Sequence, residues 1–261
     1  MTLGRFSLIT TVLLSCGAVV SAGPQTHILD TNSYNFQLNG GGGGAQATLD
    51  KTQSIEIFCV DFANDIYVPT QNYSAYLTTI TSSTTSTALG YTRFGNVASS
   101  AWSQMNTSFV DLTDASTINN ATDLGRYQMA AYLVSQYNLP GGNNASNNGI
   151  QQAIWDMLDP KTFTAVYNTS TDNALEGAAQ WYSATGGNGS TSRDSFLANY
   201  RIVSSTTMSS CASGTGLLCG GFQEQITVVP EPRHVAFMLM GLLLAGSMVF
   251  RKMQAARRSD A

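Results

Sequence analysis

Two apolar stretches, one near each end of this 261-residue chain, decide the compartment in which everything between them folds. Residues 1–22 read MTLGRFSLITTVLLSCGAVVSA: one arginine, an apolar run, then the small residues Val20, Ser21 and Ala22. That is the layout of a secretory signal peptide cut after Ala22. Cys16 also invites a lipobox reading, which Leu14 fits badly. The second stretch, residues 235–250, is apolar throughout. As a helix it spans about 24 Å, slightly less than the ~30 Å hydrocarbon core of a bilayer. Snorkelling Arg and His side chains at its ends close that gap. Arg251, Lys252, Arg257 and Arg258 follow it, which predicts a cytoplasmic tail and an exported body at residues 23–229. A body of that length is able to bury a sizeable core.

Charge narrows the function of that body. Only 11% of the chain is charged, against roughly a quarter in an ordinary soluble domain. Residues 23–229 hold Lys51, Arg93, Arg126, Lys161, Arg193 and Arg201 against 14 acidic residues, a balance of about −8. A nucleic-acid partner requires a basic stripe, and none is present. His27 is the only histidine of the body, which argues against Ser-His-Asp catalysis, a His-rich zinc site and a HExxH protease. Asp61, Asp65, Asp111, Asp114 and Asp123 do not follow a calcium-loop pattern, and no Lys-Ser/Thr follows Gly40–Gly44 to make a phosphate loop. No metal and no cofactor is expected.

The C-terminal arrangement resembles a known sorting signal. Pro230, Glu231 and Pro232 stand immediately before the apolar run, and an Arg-rich end follows it. This is similar to the PEP-CTERM signal, over about residues 230–261. The resemblance implies a Gram-negative cell, a transient inner-membrane anchor through 235–250, and an exosortase-type protease that recognises the Pro-Glu-Pro motif. The body then ends at the cell surface or in the extracellular, biofilm-type matrix. The other reading is a plain C-terminal anchor.

Within the body, Gly40–Gly44 reads as a flexible loop between weak strands. Residues 54–62, SIEIFCVDF, are apolar on both alternating faces and read as a well-buried strand. Residues 72–112 read as a mixture of strand and short helix. Leu124, Tyr127, Ala131, Leu133 and Val134 recur at helical spacing after Thr122 or Asp123 as cap. A Gly/Asn-rich loop follows, and then IQQAIWDMLDP reads as a second helix, capped by Ser146, Asn147 or Asn148 and stopped by Pro160. A third helix is expected over 172–184, and strand-like alternation returns over 195–229. Strands, helices and strands again predict an α+β fold: a β-sandwich or barrel with an inserted helical subdomain.

The mature body holds three cysteines. Cys211 and Cys219 enclose a short loop and are read as a local disulfide, which the exported location permits. Cys59 is left over, either as a small buried hydrophobe or as a reactive thiol. A thiol that attacks a glutamine carboxamide expels ammonia and leaves an internal thioester, an acyl donor that requires no histidine. Phe58-Cys59-Val60-Asp61 and Ile150-Gln151-Gln152-Ala153-Ile154-Trp155, in that order, resemble the two motifs of the bacterial thioester domains at the tips of surface adhesins. The helix between them, RYQMAAYLVSQY, is also similar to the family's intervening segment. Ile150 stands where that family often has threonine.

The resemblance implies that Cys59 carries the sulfur and Gln151 the acyl group, with Ile154 and Trp155 packing the helix against the strand. Gln152 points about 100° away from Gln151 on a helix. Gln151 is placed in the first turn, where unbonded N–H groups and the helix dipole favour negative charge. The function expected is covalent adhesion to a surface or matrix nucleophile, a lysine amine or a hydroxyl, by a single-use acyl donor and not a turnover enzyme. The alternatives are a shared fold without the cross-link, and a non-catalytic structural or carbohydrate-binding matrix component.

Overall fold

The computed structural model describes residues 25–38, 42–62, 66, 71–97, 112–138, 144–158, 169–186, 191–211 and 217–229. The signal peptide (1–22), Pro230–Pro232 and the apolar run at 235–250 lie outside them. Among the described residues, no helix is long and apolar enough to cross a membrane.

Four strands come first: β1 (Thr26–Gln37), β2 (Gly43–Leu49), β3 (Gln53–Cys59) and β4 (Asn72–Thr79). Among the described residues six helices follow: α1 (Ser86–Leu89), α2 (Ala115–Asn119), α3 (Asp123–Ser135), α4 (Ala145–Leu158), α5 (Thr169–Ala184) and α6 (Thr191–Leu197). Then come β5 (Tyr200–Ser205), β6 (Ser209–Ser210), β7 (Leu218–Cys219) and β8 (Gln225–Val228). Six strands close into an antiparallel barrel in the order β1-β2-β3-β8-β5-β4. The architecture is therefore α+β, and of the two expected β arrangements it is the barrel. Because β4 and β5 are neighbours in the barrel, the helices form one long excursion between two paired strands. β6 and β7 make a separate hairpin, where Cys211 and Cys219 are joined by a disulfide.

The two-faced apolarity of β3 has a direct cause. Ile55 and Ile57 point into the barrel core with Leu29, Ala47, Ala75 and Val203. Phe58 and Val60 belong instead to the core shared with the helices, among Ile150, Ile154, Met157 and Leu175. The strand is a wall between two cores, so both faces must be apolar. Alanines at 45, 47 and 75 leave room for the narrow barrel to close. Register shifts in β1 between Thr31 and Ser33, and again between Tyr34 and Phe36, are the irregularities with which a long strand bends around such a barrel.

Local chemistry sets the helix starts. Thr122 caps α3 by accepting from the Gly125 N–H at 3.2 Å. The second expected helix begins earlier than its apolar spacing indicated. Asn144 accepts from the Asn147 N–H at 2.9 Å, so α4 starts at Ala145 and runs to Leu158. The third, α5, starts at Thr169 instead of 172, and 191–197, partly read as strand, is helical. Gly149 lets α4 press against α5: a Cβ there would stand 2.6 Å from that of Ser170.

A buried polar cluster ties barrel, helices and hairpin together. The Arg93 guanidinium meets Asp61 at 2.6 Å and donates to the carbonyls of Leu218 and Gly220, each at 2.8 Å. Its backbone N–H donates to Glu224 at 2.7 Å. Glu224 also accepts from the hydroxyls of Ser204, at 2.7 Å, and Tyr127. Asp61 and Glu224 are both fully buried. Burial holds the Glu224 carboxyl above its ordinary range, although Ser204, Tyr127 and Arg93 act the other way.

Two consequences are measurable by urea denaturation. Arg93→Met leaves buried carboxylates without their cation and should cost about 3–5 kcal/mol. Because the folded pKa of Glu224 lies above its unfolded value, the folded state keeps a proton that the unfolded state has released. Stability should therefore fall as pH rises from the ordinary carboxylate range through the raised value, then level off. Glu224→Gln should remove that segment of the pH dependence.

Candidate functional site

β3 ends at Cys59, at one mouth of the barrel. Cys59 pairs with Gln225 of β8, while Phe58 beside it pairs with Gly44 of β2. α4 crosses this rim and delivers two side chains. The Gln151 amide nitrogen donates to the Cys59 carbonyl at 2.9 Å. The Trp155 indole N–H lies 3.3 Å from the Cys59 sulfur. The sulfur is also 3.3 Å from the Asp61 carbonyl oxygen. Cys59, Gln151 and Trp155 are each 3% exposed or less, so water has little access to them.

The Gln151 carbonyl oxygen is the polarised end of this arrangement. It accepts from the Gly43 backbone N–H at 2.9 Å and from the Tyr137 hydroxyl at 3.0 Å. Two donors on one oxygen draw electron density from the carboxamide carbon, and they would stabilise an oxyanion formed there. Tyr137 remains a donor, because burial and the neighbouring Cys59 hold its hydroxyl well above the ordinary phenol range. Phe58 stacks on the Tyr137 ring at 5.4 Å and fixes its position. Phe62, partly exposed, packs edge-on against Trp155 at 4.9 Å.

The residues singled out in the sequence take distinct places. Cys59, Gln151 and Trp155 meet. Ile150 and Ile154 lie in the core shared with the helices. Phe58 supports Tyr137. Asp61 holds Arg93 and thereby the chain just beyond Cys59. Gln152 is turned away, with its side-chain oxygen accepting from Thr171 at 2.8 Å. A second carboxamide, Gln225, stands opposite Cys59 in the ladder, but its nitrogen donates to Gln223. Cys211 and Cys219 are in the hairpin disulfide, away from these groups in the chain. Pro230, Glu231 and Pro232 are outside the described residues.

Two expectations need correction. Gln151 is not in the first turn of its helix, because the Asn144 cap sets the start six residues before it. The helix terminus therefore does not supply the donors; Gly43 and Tyr137 do. The glycine run is also not simply a linker. Gly43 and Gly44 are strand residues in β2, and Gly42, at φ +76°, lies against the site. A Cβ on Gly42 would stand 2.5 Å from the Trp155 ring and 2.9 Å from the Gln151 oxygen. Sequence reading missed Gly42, Gly43 and Tyr137 as site residues. The available signal was the glycine run itself, since close backbone approach is one of the things glycine is used for.

Among the described residues, no group of three His, Cys, Asp or Glu side chains is placed to hold a metal ion. No family model matches this chain, and neither does any curated protein or solved structure.

Gly42→Ala tests the close approach. A side chain at positive φ that also collides with Trp155 should cost about 2–4 kcal/mol. It should also shift the Trp155 indole N–H resonance, which Gly177→Ala, in open space on α5, should leave in place.

Proposed function

We propose that this is an exported surface or matrix protein whose barrel domain carries an internal thioester between Cys59 and Gln151, used once as an acyl donor. The observation that carries the reading is the Gln151 carboxamide: its oxygen accepts from two donors, and its nitrogen donates to the backbone of the cysteine that would attack it.

The chemistry follows from that placement. The Cys59 sulfur adds to the Gln151 carboxamide carbon, and the developing oxyanion keeps its hydrogen bonds to Gly43 and Tyr137. The carbon–nitrogen bond then breaks. The thiol proton leaves with the nitrogen, ammonia departs, and a sulfur–carbon bond remains. The Trp155 N–H steadies the sulfur, and burial of the pair slows hydrolysis. A later nucleophile, an amine or a hydroxyl of a partner, takes the acyl group and returns the thiol. Lys51 does not compete within the same molecule. It sits in the turn before β3, roughly 25 Å along the strand from Cys59.

Export, cleavage near Pro230–Pro232 by an exosortase-type protease, and a surface or matrix destination belong to the same proposal. They rest on the order of signal peptide, Pro-Glu-Pro, apolar run and basic tail.

Intact-mass measurement of the exported protein, with and without methylamine, tests the acyl chemistry. The mass should fall short of the disulfide-bonded value by about 17 Da, one ammonia, and methylamine should add at Gln151. Tyr137→Phe, which keeps the ring stack on Phe58, should slow thioester formation by ~10²-fold. Cys59→Ala should show the full mass and no adduct. A full mass in the unmodified protein, with Cys59 alkylating as a thiol, would leave a non-catalytic matrix protein. An adduct at Gln225 would move the acyl group to the opposite strand.

A further inference from the structure

The barrel mouth that holds Cys59 also carries a cleft on its β4–β5 side, and its chemistry differs from that of the acyl site. The cleft encloses about 390 Å³ and is lined by Gln71, Asn72, Tyr73, Ser205, Thr207 and Phe222, among others. That volume falls within the ~300–1,000 Å³ of small-ligand sites.

Strand register places it near Cys59. Cys59 pairs with Gln225, and Gln225 pairs with Val203. Ser205 lies two residues further along β5 and pairs with Ala75 of β4. Two interstrand steps and two residues of rise put the Ser205 and Cys59 Cα atoms about 12 Å apart. Side chains alternate along a strand, so Cys59, Val203, Ser205, Ala75 and Tyr73 project to one face. Ala75 and Val203 mark it as the barrel interior.

We infer that this cleft binds an uncharged polysaccharide. Its lining offers carboxamides, hydroxyls and the half-buried Tyr73 ring, backed at 4.8 Å by the buried ring of Phe222. Amide and hydroxyl groups match the ring hydroxyls of a sugar, and aromatic carbon matches its C–H faces. Among the described residues, no Lys, Arg, His, Asp or Glu lines the cleft. A sulfated or uronic chain would find no cation in it, and the body is already negative. A basic peptide would find no available carboxylate among the described residues. Asp61 and Glu224 are engaged with Arg93, and Asp30, paired across from Asn72, does not line the cleft. The barrel itself offers no edge for strand addition, because its six strands close on one another.

The cleft has a built wall. Gly221, at φ +72°, brings the hairpin against Ser205: a Cβ there would lie 2.5 Å from the Ser205 side chain. The Ser205 hydroxyl is in turn 2.9 Å from that of Thr207. Binding here does not require the thioester. On the acyl-donor reading, it holds a matrix chain beside the acyl carbon.

Affinity electrophoresis of the exported protein decides the matter, with gels containing dextran, mixed-linkage β-glucan or galactomannan as neutral probes and alginate as the anionic one. At least one neutral polymer should retard the protein, and alginate should not. Asn72→Ala combined with Thr207→Ala, at exposed positions of the lining, should raise the apparent Kd about 5-fold. Asn173→Ala serves as the control, since it alters the separate cleft between α3, α4 and α5. Cys59→Ala should bind as the parent does, which separates this proposal from the acyl chemistry. No retardation in any neutral gel would overturn the inference. So would retardation by alginate alone, insensitivity to the double substitution, or loss of binding in Cys59→Ala.

Discussion

Arg93 is buried between two carboxylates, and most of the fold's long-range order meets at that side chain. Its guanidinium fixes Asp61 just past the end of β3 and gathers the carbonyls that lead from β7 into β8. Its backbone fixes Glu224, which also takes the hydroxyls of Tyr127 from α3 and Ser204 from β5. Two buried carboxyl groups beside one cation are tolerable only when their oxygens and its N–H groups have partners. The cluster therefore forms completely or costs several kcal/mol. It holds the helical excursion in one position relative to the barrel rim.

That position matters because the candidate site is assembled from both parts. Cys59 and Gly43 belong to the barrel, whereas Gln151, Trp155 and Tyr137 belong to the helices or the turn after α3. A shift of α4 by one residue would rotate Gln151 by about 100° and remove all three hydrogen bonds of its carboxamide. The Asn144 cap and the Gly149–Ser170 contact set the axial position of α4. Gly42 sets how closely it approaches the rim. The same rim continues to the uncharged cleft at Ser205, so two unlike surfaces share one end of the barrel.

Much of the architecture was readable in order. Alternation on both faces of residues 54–62 marked β3 as a strand between two apolar environments, and the barrel and helical cores are those environments. The Thr122 cap and the Leu124-to-Val134 spacing located α3 closely. The start of α4 was misjudged because apolar spacing was weighed above capping. Residues 145–149 carry little periodic signal, yet Asn144 accepts from the N–H three residues on and recruits them. The glycine run was read by composition as a loop. Its neighbours in space, Trp155 and Gln151, lie more than a hundred residues away in sequence.

The sequence by itself determined the local elements and their order, because hydrophobic period, caps and breakers act over a few residues. It also brought Cys59, Gln151 and Trp155 forward as candidates, through side-chain chemistry and short motifs. Only the tertiary structure decided which groups surround the Gln151 carboxamide, that Asp61 serves Arg93, and that Gly42 is a contact surface. Those are pairings between residues far apart in the chain. Their geometry is set by how a closed barrel and a helical layer pack around one buried cluster, and no local pattern encodes it.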